Sequence, residues 1–81
     1  MTFDDFVAQV RAQLTGKAAT KGYSVDGPDG PNLANEFMAQ AFPDHALGEI
    51  VYKALRYKAK GDAEDLIKIA AWAWLIVKAR G

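Results

Sequence analysis

A chain of 81 residues has room for one domain and, as a monomer, buries only a modest fraction of its surface. It has no cysteine, which excludes disulfides and thiolate metal sites, and its 10 basic residues balance its 10 acidic ones, so no net field gathers a polyanion and generic nucleic-acid binding is disfavoured. The start, MTFDDFVAQV, carries two acids where a secretion signal needs positive charge, and the apolar run from Leu66 to Val77 is interrupted by Lys68 and too short to span a bilayer, so a cytoplasmic chain without a membrane partner is expected.

The hydrophobic pattern predicts an all-α fold, a small bundle of about four helices completed by oligomerisation, in a single domain over residues 1–81. In the first helix, about residues 3–15, Phe3, Phe6, Val7, Val10 and Leu14 recur at helical spacing; Thr2 can cap it, Asp4 and Asp5 suit its positive end, and Gly16 suits its stop. The segment 16–30 holds two Asp-Gly pairs and no periodicity, and reads as a loop. Pro31 fits the first turn of a second helix, about 31–41, with Leu33, Phe37, Met38 and Ala41 facing inward; Pro43 ends it.

Asp44 can cap a third helix, about 44–60. Its apolar face is Leu47, Ile50, Val51, Ala54 and Leu55, its polar face Glu49, Lys53, Arg56 and Lys60, and Gly61 closes it. Asp62 opens the fourth, about 63–79, with Asp65 three residues on as a short capping box. Leu66, Ala70, Ala73 and Val77 gather on one side of that helix, flanked by Ile69 and Ile76, with Ile67 and Trp74 extending the patch. Leu66, Ile69, Ala73 and Val77 are expected to meet Leu47, Val51 and Ala54 in an antiparallel pair. Trp72 and Leu75 fall on the other side, and three short helices leave them to be covered by a second subunit, so a homo-oligomer is expected.

Residues that carry chemistry are few. There is no Walker sequence, dinucleotide fingerprint or HExxH, and the single histidine, His45, sits in a helical first turn where a solvated or capping imidazole is the simpler reading. Glu49 and Lys53, four apart, read as an exposed ion pair. Asp62, Glu64 and Asp65 crowd a helix start, which the macrodipole explains and which also leaves metal binding open.

Read in order, GKAATKGY, PNLANEF, GEIVYKALRY and DAEDLIKIAAWAWLI resemble the short, all-helical, often phage-encoded relatives of the MazG-type nucleotide pyrophosphohydrolases, over about residues 15–77. The resemblance implies a helical bundle assembled as a dimer or tetramer, magnesium, and cleavage of a nucleoside triphosphate between its first two phosphates. It matches Lys53 and Arg56 to the family's Lys and Arg, Glu64 and Asp65 to its ED pair, and Trp72 to its aromatic. Tyr52 and Lys68 stand where the family has acids, and KGY replaces its DYG. Glu36 and Glu49 remain as single acids.

Three expectations follow. The first is a nucleotide- or phosphate-binding protein, weak or inactive as an enzyme, holding its ligand through Lys53, Arg56 and Lys68. The second is an active magnesium-dependent pyrophosphohydrolase with Glu36, Glu49, Glu64 and Asp65 around the metal. The third is a small phage or mobile-element protein that blocks a host factor through a helical surface, a reading that exposure of Trp72 would favour.

Overall fold

A computed structural model describes residues 1–15 and 32–81. The expectations for the 16–30 loop, for Gly16 as a helix stop and for Pro31 as a first-turn residue lie outside the described residues. Among the described residues the fold is all-α, a small bundle of four helices: α1 (Phe3–Gln13), α2 (Leu33–Ala41), α3 (Pro43–Lys60) and α4 (Ala63–Arg80). None of the described helices is long and apolar enough to cross a membrane.

Local chemistry sets most of the helix ends. At the start of α1 the Thr2 hydroxyl accepts from the Asp5 N–H at 3.1 Å, and the Asp5 carboxylate accepts from the Thr2 N–H at 3.0 Å, a reciprocal capping box. The backbone hydrogen bond to Thr2, and then its side-chain hydrogen bond, hold the Asp5 carboxyl below the ordinary aspartate range. The Asn32 side chain caps α2 by accepting from the Asn35 N–H. Gly61 ends α3 in the left-handed region at φ 69°, its N–H donating to the Tyr57 carbonyl at 2.7 Å. Asp62 caps α4 by accepting from the Glu64 N–H at 2.9 Å.

Two ends differ from expectation. Asp44 does not cap α3: the cap position is Phe42, which makes no side-chain cap bond, and Pro43 opens the helix instead of only ending the one before. The proline ring fixes φ at a helical value and its missing N–H is one the first turn would leave unpaired. Asp65 does not complete a capping box at α4, because its side chain is buried.

The central helix is α4, which packs on all three others and most extensively on α3. The core is Ala39 of α2, Ala46 of α3, and Trp72 and Leu75 of α4, with Leu14, Met38, Ile50 and Ile76 packed around them. Trp72 and Leu75 are 7% and 5% exposed, so this chain covers them itself and the expectation that a second subunit must do so is corrected. The expected pairing of Leu66, Ile69, Ala73 and Val77 with Leu47, Val51 and Ala54 is also corrected. The helices do pair, but through other faces: Leu47 and Val51 are 48% and 60% exposed, Val77 is 60%, and Ala54 and Ala73 are exposed as well. In α2, Leu33, Phe37 and Ala41 are exposed, and Met38 with Ala39 faces inward.

The reason for the rotation is side-chain size. A tryptophan carries about 150–250 Å² of surface, more than any residue on the competing face except Trp74. The fully buried Ala46 and nearly buried Ala39 leave the space that a ring of this size needs. Turning Trp72 inward rotates α4 so that Leu66, Trp74 and Val77 lie outward. On α3, Ala46, Ile50, Glu49 and Lys53 turn inward while Leu47, Val51 and Leu55 face water.

Candidate functional site

Rotating α3 in this way carries its charged face onto α4. Glu49 and Lys53, one turn apart, make an ion pair at 2.6 Å with side chains only 29% and 13% exposed, so the pair is partly buried rather than the exposed pair expected. His45, one turn before Glu49, lies 3.8 Å from its carboxylate and sets its ring edge-on to Trp72, with centroids 6.1 Å apart. One turn beyond Lys53, Arg56 reaches across to Asp65 of α4, Nε to Oδ1 3.7 Å. Asp65, Lys68 and Trp72 fall on one line of α4 at helical spacing, and Lys68 pairs with Glu64 at 3.4 Å.

Asp65 is the least comfortable group in this seam. Its side chain is 5% exposed, its only ionic contact is the long one to Arg56, and Oδ2 has no hydrogen-bond partner among the described residues. Burying a carboxylate costs on the order of several kcal/mol unless hydrogen bonds replace its water. Arg56 is 43% exposed and its contact is too long for a hydrogen bond, so its guanidinium keeps donors directed at solvent. Lys53 and Arg56 both lie over the Tyr52 ring, each cation 5.8 Å from its centroid.

The seam therefore gathers Lys53 and Arg56 with Glu49 and Asp65, and has Lys68 with Glu64 along its α4 side. Glu36 is elsewhere, on α2, where it pairs with Lys78 near the end of α4. The four candidate metal ligands each hold a basic partner, and among the described residues no three Asp, Glu or His side chains come together where they could hold a metal ion. Among the described residues these four carboxylates are paired with bases and are not gathered at one point.

Three features escaped the sequence reading. The Glu36–Lys78 pair spans 42 residues and has no local signal. The contact of the Tyr52 ring with two cations could have been found from its place beside Lys53 and one turn before Arg56. The contact of His45 with Glu49 is an i, i+4 spacing visible in the sequence, but its edge-on contact with Trp72 depends on the rotation of α4. Comparison with known protein families, with curated proteins and with solved structures finds no match.

Proposed function

We propose that the seam between α3 and α4 binds a phosphate-bearing ligand, a nucleotide in the first instance, and that the protein is a ligand-binding relative of the MazG-like pyrophosphohydrolases with little or no turnover. The observation that carries this reading is the inward turn of a charged helix face around a buried acid, Asp65, whose Oδ2 has no hydrogen-bond partner among the described residues. A small bundle gains little stability from such a face, since apolar replacements of buried ion pairs are often neutral or stabilising. Arg56 supplies the planar, bidentate donor for phosphate, Lys53 and Lys68 supply point charges, and Tyr52 supplies a face for a base. Because Glu49, Asp65 and Glu64 already neutralise these cations, a phosphate has to displace a carboxylate. The active enzyme is the weaker proposal, for the reason of donor geometry given above.

A thermal-shift titration with inorganic pyrophosphate and nucleoside triphosphates, with and without magnesium, tests this. A ligand at about 100 times its Kd stabilises the fold by about 2.7 kcal/mol, enough to move the midpoint of so small a domain by roughly 10 °C or more. The expected result is a shift without magnesium that weakens with salt, disappears in Arg56→Ala, and is accompanied by no pyrophosphate release. A flat screen would refute the reading, and robust pyrophosphate release would replace it with the enzyme.

A second reading, a helical interaction protein, rests on a different observation: Leu47, Val51 and Leu55 of α3 and Leu66, Trp74 and Val77 of α4 are exposed. The argument from Trp72 no longer supports it, because Trp72 is buried.

A further inference from the structure

The outer face of α3 is symmetric about one residue. At about 100° per residue, Asp44, Leu47, Gly48, Val51, Ala54, Leu55 and Lys58 fall within an arc of about 120° centred on Val51, and all seven are exposed. Positions three before and after Val51 are the small residues Gly48 and Ala54. Positions four before and after are Leu47 and Leu55, and those seven before and after are Asp44 and Lys58.

We infer that α3 is the contact helix of a homodimer, pairing antiparallel with α3 of a second copy across a two-fold axis at Val51. In that register each Leu47 lies opposite a Leu55 and each Gly48 opposite an Ala54. Each Asp44 lies opposite a Lys58, so the charges at both ends of the contact are complementary and the contact is isologous. A parallel pairing sets Asp44 against Asp44 and Lys58 against Lys58 and is disfavoured by like charge. Neither Asp44 nor Lys58 makes an ion pair among the described residues, so both charges remain for a partner.

Gly48 gives independent support. Glycine weakens a helix interior relative to alanine, yet Gly48 has no positive φ, and a Cβ built on it meets nothing within 4 Å. Nothing among the described residues calls for glycine there. An approaching helix does, because glycine opposite alanine lets two backbones come close. With Leu47, Val51 and Leu55 still 48%, 60% and 62% exposed, the apolar centre of the contact is present on each copy. A contact built mainly on one helix is at the small end of interfaces, and a Kd on the order of micromolar is expected. The dimer is independent of the α3–α4 seam, which uses the opposite face of α3.

Sedimentation velocity of the full chain over a range of concentrations, with circular dichroism of each variant as the check on folding, tests the inference. The wild type should pass from monomer to dimer in the micromolar range. Val51→Glu places two carboxylates together on the axis and should leave a folded monomer throughout. Asp44→Lys should weaken the dimer roughly tenfold, and Asp44→Lys combined with Lys58→Asp should restore it. A wild type that stays monomeric into the millimolar range overturns the inference and leaves the face to a different protein. A dimer indifferent to Val51→Glu, or one that the charge exchange fails to restore, overturns this interface and register. Should Val51→Glu fail to fold, the charge exchange alone decides the question.

Discussion

Trp72→Ala against Trp74→Ala measures how α4 is turned. The two indoles lie on one helix two residues apart, yet Trp72 is 7% exposed and Trp74 52%. The difference is nearly half of a tryptophan side chain, about 100 Å², which at about 25 cal/mol per Å² is roughly 2.5 kcal/mol of differential burial. A cavity adds to the cost at Trp72, because Ala39 and Ala46 on its flanks have little side chain with which to fill the space. Trp72→Ala is therefore expected to cost about 3–5 kcal/mol, and Trp74→Ala to cost less by about 2 kcal/mol or more. Urea unfolding followed by far-ultraviolet circular dichroism reads both, at one protein concentration so that self-association weighs equally on the two variants. Equal costs, or a larger cost at Trp74, would refute the packing of Trp72 into the α2–α3–α4 core.

Gly61→Ala should cost about 1 kcal/mol in the same assay, because φ of 69° is strained for a side chain while a Cβ there meets nothing; a change near zero would show that α3 ends some other way. The Asp5 carboxyl is held below its ordinary range, so the stability it gives α1 is complete above that range and is lost as pH falls through the lowered value. Amide-exchange protection in α1, taken relative to the intrinsic rate at each pH, should accordingly fall below roughly pH 4, and fall less in Thr2→Ala, which lacks half of the capping box; identical pH profiles of protection would count against it. Asp65→Asn removes a buried charge while Arg56, at 43% exposed, relaxes into water, so the thermal midpoint should rise, and with the competing carboxylate gone the pyrophosphate-dependent shift should persist or grow. A loss of more than about 3 kcal/mol would instead make the Arg56 contact a structural tie.

Features decided within a few residues were legible in the sequence. Thr2 and Asp5, Asp62, and Gly61 mark helix ends because a cap needs only a side chain and the next turn. The number of helices followed from periodicity. Which face of α3 and α4 turns inward was not legible, because each helix offers two candidate faces and the choice lies in a non-local fit: the ring of Trp72 requires the small Ala46, 26 positions earlier, and Ala39 on a third helix. Reading the larger apolar stripe as the core assigned Leu47, Val51, Ala73 and Val77 to the interior, and the structure leaves all four exposed. The same error hid the site. Glu49, Lys53 and Arg56 were legible as one face, but that this face meets Asp65 rather than water depends on the rotation. Matching Glu36 to the same centre failed because α2 carries it to Lys78.

The inward turn of the charged face of α3 underlies both the seam and the outward face proposed for the dimer, and a nuclear Overhauser spectrum of the labelled protein tests it directly. The structure predicts cross-peaks between the imidazole of His45 and the indole of Trp72, whose ring centroids lie 6.1 Å apart. Cross-peaks joining the methyl groups of Val51 to those of Ala73 and Val77, with none between His45 and Trp72, would show the two helices packed through their apolar stripes and would contradict the account.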